Sequence, residues 1–235
     1  QLVSAHKGRT LATMPLEGWE AAAIGDDGER VAFAHHDVVE ILDARTLRPE
    51  TPGFAHVPQS ARLRGGMAVT LTGRGVQRWS SEDGTRDGAL RVDPLGVSDA
   101  VLSNDGRYAA AVSGDRVGVH DLDEGTTKWV RARRVSRVLA VADDGRRMLV
   151  WDYGSEAVSV GLFDMKTKRL SSLHTPAVWS WHALSAHGNA FALIAGDEGE
   201  LVVVRGRETK TIERADSDVA WGAVALSADG RVLAA

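Results

Sequence analysis

Leu102-Ser103-Asn104-Asp105-Gly106-Arg107 recurs as Val141-Ala142-Asp143-Asp144-Gly145-Arg146 and again as Leu226-Ser227-Ala228-Asp229-Gly230-Arg231. Weaker copies are Ile24-Gly25-Asp26-Asp27-Gly28-Glu29 and Leu184-Ser185-Ala186-His187-Gly188-Asn189. With the glycine as marker and Gly66 as a sixth, the spacings from Gly28 to Gly230 are 38, 40, 39, 43 and 42 residues. Short runs of Val, Ala, Leu, Ile and Phe flank each marker, and none sustains an apolar stripe at helical spacing. Asp-Gly between two such runs signals a tight hairpin, since glycine takes the positive φ that the turn needs.

A repeat of about forty residues made of short strands predicts four strands per repeat. In the third repeat these are 97–102, 107–112, 117–121 and 127–130, with turns at Asp105-Gly106, Gly114-Asp115 and Glu124-Gly125. A lone four-stranded unit leaves both faces exposed, and stacking neighbours covers them. Apolar runs buried on both faces fit that stacking better than strict alternation does. The expected fold is therefore all-β, a β-propeller of four-stranded antiparallel blades. Residues 1–14 read as the last two strands of a blade and residues 219–235 as the first two. Six blades with the termini sharing one are expected, and an incomplete seven-bladed propeller is the alternative.

The repeat resembles the WD-repeat family. There the third strand of a blade ends in Trp-Asp, and the matching pairs here are Leu42-Asp43, His120-Asp121 and Phe163-Asp164, with Trp79-Ser80 and Val204-Arg205 more divergent. Ser113 and Asp115 match the serine and hairpin aspartate of the family's hydrogen-bond network, while the Gly-His pair that opens a typical blade is absent. The resemblance implies a protein-interaction, sensing or scaffold module. It also implies that the loops from fourth to first strand and from second to third strand form the binding face, and it suggests the regulatory part of a bacterial signalling protein.

Composition agrees with one folded domain across residues 1–235, expected to be a piece of a longer multidomain protein because it starts at Gln1 and stops inside an apolar run. Hydrophobic residues make up 43% and charged residues 26%, the balance of a globular chain and not of a disordered one. A net charge of −4 lacks the broad positive field of non-specific nucleic-acid binding, so no nucleic acid is expected. No apolar run reaches the length of a membrane span, so no membrane is expected either, and the cytoplasm is the expected compartment. Without cysteine there are no disulfides and no thiolate metal sites.

The expected partner is a protein or peptide on one ring face. That face would carry Arg133 and Arg134, close to Arg131 and Arg137, and an acidic sector of Asp152, Glu156, Asp197, Glu198, Asp216 and Asp218. Solvated loops with ordinary surface charge is the plainer reading of both sectors; a partner surface of complementary charge is the functional one. Trp19, Trp179 and Trp221 each precede their marker glycine by nine residues. They are candidate binding residues at one repeat position, or seals between blades.

His35, His36 and Asp37 are the densest set of potential metal ligands. They sit at a hairpin tip where adjacent residues point to opposite faces, so no metal site is expected. His182, on an innermost strand, could serve an enzymatic propeller of lactonase or dehydrogenase type, the alternative function. No base, orienting group and charge stabiliser can be named together, and no phosphate-loop, dinucleotide or Gly-x-Ser-x-Gly signature occurs. No catalytic residue and no cofactor are therefore expected.

Overall fold

A computed structural model of the chain describes residues 2–3, 10–12, 19–24, 29–35, 38–50, 54–55, 58–64, 67–72, 75–80, 82–86, 91–92, 95–96, 99–153, 158–173, 178–195, 200–206, 208–212, 225–226 and 233–234. They fall into two compact units, Gln1–Ser98 and Asp99–Ala235.

The first unit holds three sheets. The pair β1 (Leu2–Val3) and β2 (Thr10–Ala12) stands alone. The next contains β3 (Trp19–Ile24), β4 (Arg30–His35), β5 (Val38–Asp43) and β6 (Phe54–Ala55), and the third β7 (Pro58–Arg64), β8 (Met67–Thr72), β9 (Gly75–Ser80) and β10 (Arg91–Val92). In the second unit β11 (Val101–Leu102), β12 (Tyr108–Ser113), β13 (Arg116–Asp121) and β14 (Thr126–Arg131) form one sheet. A second contains β15 (Val135–Val141), β16 (Arg147–Tyr153), β17 (Val158–Asp164) and β18 (Arg169–Leu173), and a third β19 (Val178–Leu184), β20 (Ala190–Ala195), β21 (Glu200–Arg205) and β22 (Glu208–Ile212). The pair β23 (Ala225–Leu226) and β24 (Leu233–Ala234) completes it. Every pairing is antiparallel and joins strands consecutive in the chain, as hairpin connections dictate. Among the described residues the strands come as a pair, five fours and a pair, the inventory that the repeat predicts.

The marker turns are built alike. The N–H of Gly106, Gly145 and Gly188 donates to the carbonyl three residues before it, at 3.0, 2.9 and 2.8 Å. All three glycines have positive φ. Gly106 and Gly145 thus hold equivalent positions, as expected; Gly28, Gly66 and Gly230 lie outside the described residues. At Gly145 packing adds a second requirement, because a Cβ there would sit 2.7 Å from the Tyr108 ring of the preceding sheet.

A second shared turn joins third and fourth strands. The carbonyls of Asp43, Ser80, Asp121 and Asp164 accept from the N–H four residues on, at Leu47, Gly84, Gly125 and Lys168, and each of those four residues has positive φ. The aspartates also cap the turn with their side chains. Asp43 accepts from the N–H of Arg45 and Thr46, Asp121 from Asp123 and Glu124, and Asp164 from Lys166 and Thr167. The arginine just before the second strand locks two of them: Arg107 Nη2 lies 2.8 Å from Asp121, and Arg146 Nη2 2.8 Å from Asp164. Burial pushes both carboxyls up, but the arginine and the turn N–H groups outweigh it and bring each to about 2.

Side chains alternate between neighbours, which is why these strands read as continuous apolar runs. On β16, Met148 and Val150 join a cluster with Val117, Val119 and Val130 of one flanking sheet, while Leu149 joins Phe191, Leu193 and Val202 of the other. On β20, Ala192 and Ile194 face away from Phe191 and Leu193, into a further cluster. In the first unit Ala32, Val39 and Ile41 pack on Leu63, Ala68 and Trp79. Fully burying a side chain such as Phe163 contributes about 2–3 kcal/mol.

Candidate functional site

The segment from β14 to β15 is pinned on both sides. Ala132 N–H donates to the Asp115 carbonyl (2.8 Å) in the β12–β13 turn, Val135 N–H to the Ala132 carbonyl (3.0 Å), and Tyr153 N–H, at the end of β16, to the Arg134 carbonyl (2.8 Å). One end of two adjacent sheets therefore presents Arg131, Arg133, Arg134 and Arg137 together with Arg116 and Tyr153.

These arginines divide by their partners. Arg131 Nε donates to Asp115 at 2.6 Å; that bond outweighs the opposing effect of burial and, with the charges of Arg116 and Arg133 nearby, holds the Asp115 carboxyl below its usual range. Arg134 forks onto Asp152, Nε to Oδ1 at 2.9 Å and Nη2 to Oδ2 at 2.6 Å, and Ser172 Oγ donates to the same carboxylate. The Asp152 side chain is 0% exposed. Asp152 is thus no surface acid, as the sequence reading had it, but a buried counter-ion that orients Arg134. Glu156, Asp197, Glu198, Asp216 and Asp218 lie outside the described residues.

Arg137 extends over the Trp151 ring, its guanidinium 5.8 Å from the centroid. No described carboxylate pairs with Arg116, Arg133 or Arg137. Tyr153 is 57% exposed, the one large hydrophobic side chain so exposed among the described residues. Sequence reasoning missed Trp151 and Tyr153. Their signal was the alternation Trp151-Asp152-Tyr153 at a strand end, which places both aromatics on one face and the acid on the other.

The first strands of four sheets carry a bulge at one place, opposite the gap between the fifth and sixth residues of the second strand. Glu20 is the extra residue in β3, Gln59 in β7 and Ser136 in β15, while in β19 residues 179–181 stand opposite Ile194 alone. Trp19 pairs with His35 just before its bulge, whereas Val178 holds that place in β19 and Trp179 falls inside the bulge. Equal spacing to the marker glycine therefore does not give equal pairing. Trp221 lies outside the described residues, as do His36 and Asp37. A second bulge in β15 leaves out Leu139, whose carbonyl accepts from His182 Nε2 at 2.7 Å. Burial pushes the His182 pKa down; the carbonyl bond opposes this and Arg137 adds to it. Among the described residues no group of three or more His, Cys, Asp or Glu is placed to hold a metal ion, and no helix is long and apolar enough to cross a membrane.

No family model and no curated protein matches the chain. Solved structures do. A chain of the hydrazine synthase of Kuenenia stuttgartiensis aligns with a TM-score of 0.64 at 16% identity, over 95% of this chain and 75% of that one. A chain of the mitotic checkpoint complex gives 0.64 at 16%, over 98% and 78%. The β-propeller domain of Cps50 (Swd1) from Myceliophteria thermophila gives 0.56 at 14%, over 94% of both chains. The chain has a β-propeller fold. Its four-stranded sheets are blades, and the arginine-bearing end is formed by the turn between β12 and β13, the segment from β14 to β15 and the end of β16.

Proposed function

We propose that the chain is a non-catalytic, WD-repeat-like interaction module that engages a protein partner through the loop end bearing Arg116, Arg133, Arg137 and Tyr153. The observation that carries the reading is the exposed Tyr153 beside three arginines that no described carboxylate pairs with, since exposed aromatic and arginine side chains are the commonest anchors of protein interfaces. Asp43, Asp121 and Asp164, each capping its third-strand turn, support the likeness to WD repeats. His182, whose Nε2 is committed to a carbonyl, reads as a structural residue.

The test is crosslinking and mass spectrometry on the tagged protein in its native cells, followed by hydrogen exchange with the recovered partner. The reading expects a reproducible protein partner and slowed exchange over residues 131–137. Turnover of a small molecule with no protein partner would contradict it.

A further inference from the structure

We infer that this loop end recognises an acidic, carboxylate-rich peptide segment that also carries an apolar anchor. The inference rests on the interaction-module reading above and deepens it. Among the described residues, five arginines, at 116, 131, 133, 134 and 137, face two carboxylates, Asp115 and Asp152, and both carboxylates are held by an arginine of the set. The remaining three positive charges are set against a chain whose net charge is −4. A local surplus on an acidic protein selects a short anionic segment; it does not supply the extended field that draws a nucleic-acid backbone.

The aromatic pair supplies the second half of the specificity. Trp151 packs on the buried cluster of Leu149, Phe191 and Leu193 and carries Arg137 over its ring, so that guanidinium is held in place and loses less freedom on binding. Tyr153, two residues on along the same face, offers an exposed ring to an apolar side chain of the ligand. Asp115 and Asp152 fix Arg131 and Arg134, which leaves Arg116, Arg133 and Arg137 to pair with carboxylates of the ligand.

The probe is a short fluorescein-labelled peptide rich in glutamate with a central leucine, titrated against the whole chain alongside its glutamine analogue and an oligothymidylate of matched length. The inference expects binding of the glutamate peptide that weakens with salt, and none of the glutamine analogue. Arg133→Glu should weaken it about tenfold and Tyr153→Ala several-fold, with the far-ultraviolet circular dichroism of each variant unchanged. Absence of glutamate-peptide binding, tighter binding of the oligothymidylate, or wild-type affinity in both variants would overturn it. A cellular partner retained by the Arg133→Glu protein would sink this inference and leave the interaction module standing, whereas loss of every protein partner, with turnover of a small molecule, would sink the module itself.

Discussion

The blades β11–β14 and β7–β10 start from the same repeat and hold their third-strand turns by different chemistry. In β11–β14 a buried aspartate does it: Asp121 accepts from two turn N–H groups at 2.9 and 3.1 Å and from Arg107 at 2.8 Å. In β7–β10 a serine stands at that position. Ser80 Oγ accepts from Glu82 N–H at 3.2 Å, and Asp83, further round the turn, accepts from Thr85 N–H and Oγ1. Both turns keep the same backbone bond and the same positive φ at the fifth residue. Geometry thus outlasts the charge network, and what the network adds is energy, because charge-assisted bonds to a buried carboxylate are about twice as strong as neutral ones.

The interiors differ in the same sense. Three residues before Asp121 stands Gly118, bare because the Trp129 ring of the outer strand lies on it; a Cβ there would be 2.6 Å from the ring. The corresponding residue of the other blade is Gln77, 1% exposed, with no hydrogen-bond partner for either amide atom. The adjacent Thr70 hydroxyl already serves Trp79 Nε1, 3.0 Å away. One blade spends its centre on packing, the other on a polar group that burial leaves unanswered.

The largest expected effect is at Asp121. Asp121→Ala strips the turn of its buried acceptor and leaves Arg107 only the longer pairs to Asp123 and Glu124, at 3.6 and 3.7 Å, and should cost about 3 kcal/mol in denaturant unfolding, against about 0.5 for Ser80→Ala. The pH dependence has a defined sign. The folded pKa values of Asp121 and Asp164, about 2, lie below the ordinary 3.8, so the stabilisation is complete above about pH 4 and is lost as pH falls toward 2. Asp121→Asn should flatten acid unfolding in that window, and an unchanged slope would break the comparison.

Glycine substitutions sharpen it. Gly145→Ala meets both the left-handed backbone and the Tyr108 ring and should cost about 3 kcal/mol; Gly125→Ala, with open space around its Cβ, should cost about 1. Equal losses at the two sites would mean that contact with the preceding blade contributes nothing. Gln77→Leu should raise stability by about 1–2 kcal/mol by removing the unpaired amide. Leu47 and Lys168 hold the same turn position as Gly125 with φ of 54° and 58°. Glycine at either should add up to about 1 kcal/mol, read as a rise in denaturation midpoint.

Turn chemistry was what the residues themselves displayed. Asp-Gly at a fixed period located the marker turns, whereas Asp43, Asp121 and Asp164 were placed at their strand ends by the resemblance to WD repeats; both kinds of residue act on backbone within a few positions of themselves. The arginine patch was found as a charge run, but its internal division was hidden. Asp115, Asp152 and Ser172 reach Arg131 and Arg134 only through strand pairing, and local sequence does not carry that pairing. Asp152 read as a surface acid because a loop-proximal carboxylate looks the same in sequence whether or not two other strands close over it. The bulges at Glu20, Gln59, Ser136 and 179–181 were invisible for a related reason: an extra residue in one strand shows only against its partner.

That division of the arginines is the claim on which the site depends, and thermal melting combined with glutamate-peptide titration of Arg133→Ala and Arg134→Ala tests it directly. Removing Arg134 leaves the Asp152 carboxylate buried with two of its three bonds unmade, so the variant's thermal midpoint should fall by roughly 5–10 °C. Arg133→Ala should melt with the wild type and bind the peptide several-fold more weakly. The opposite pattern, a destabilised Arg133→Ala protein with unchanged peptide affinity beside an Arg134→Ala protein of native stability, would contradict the account.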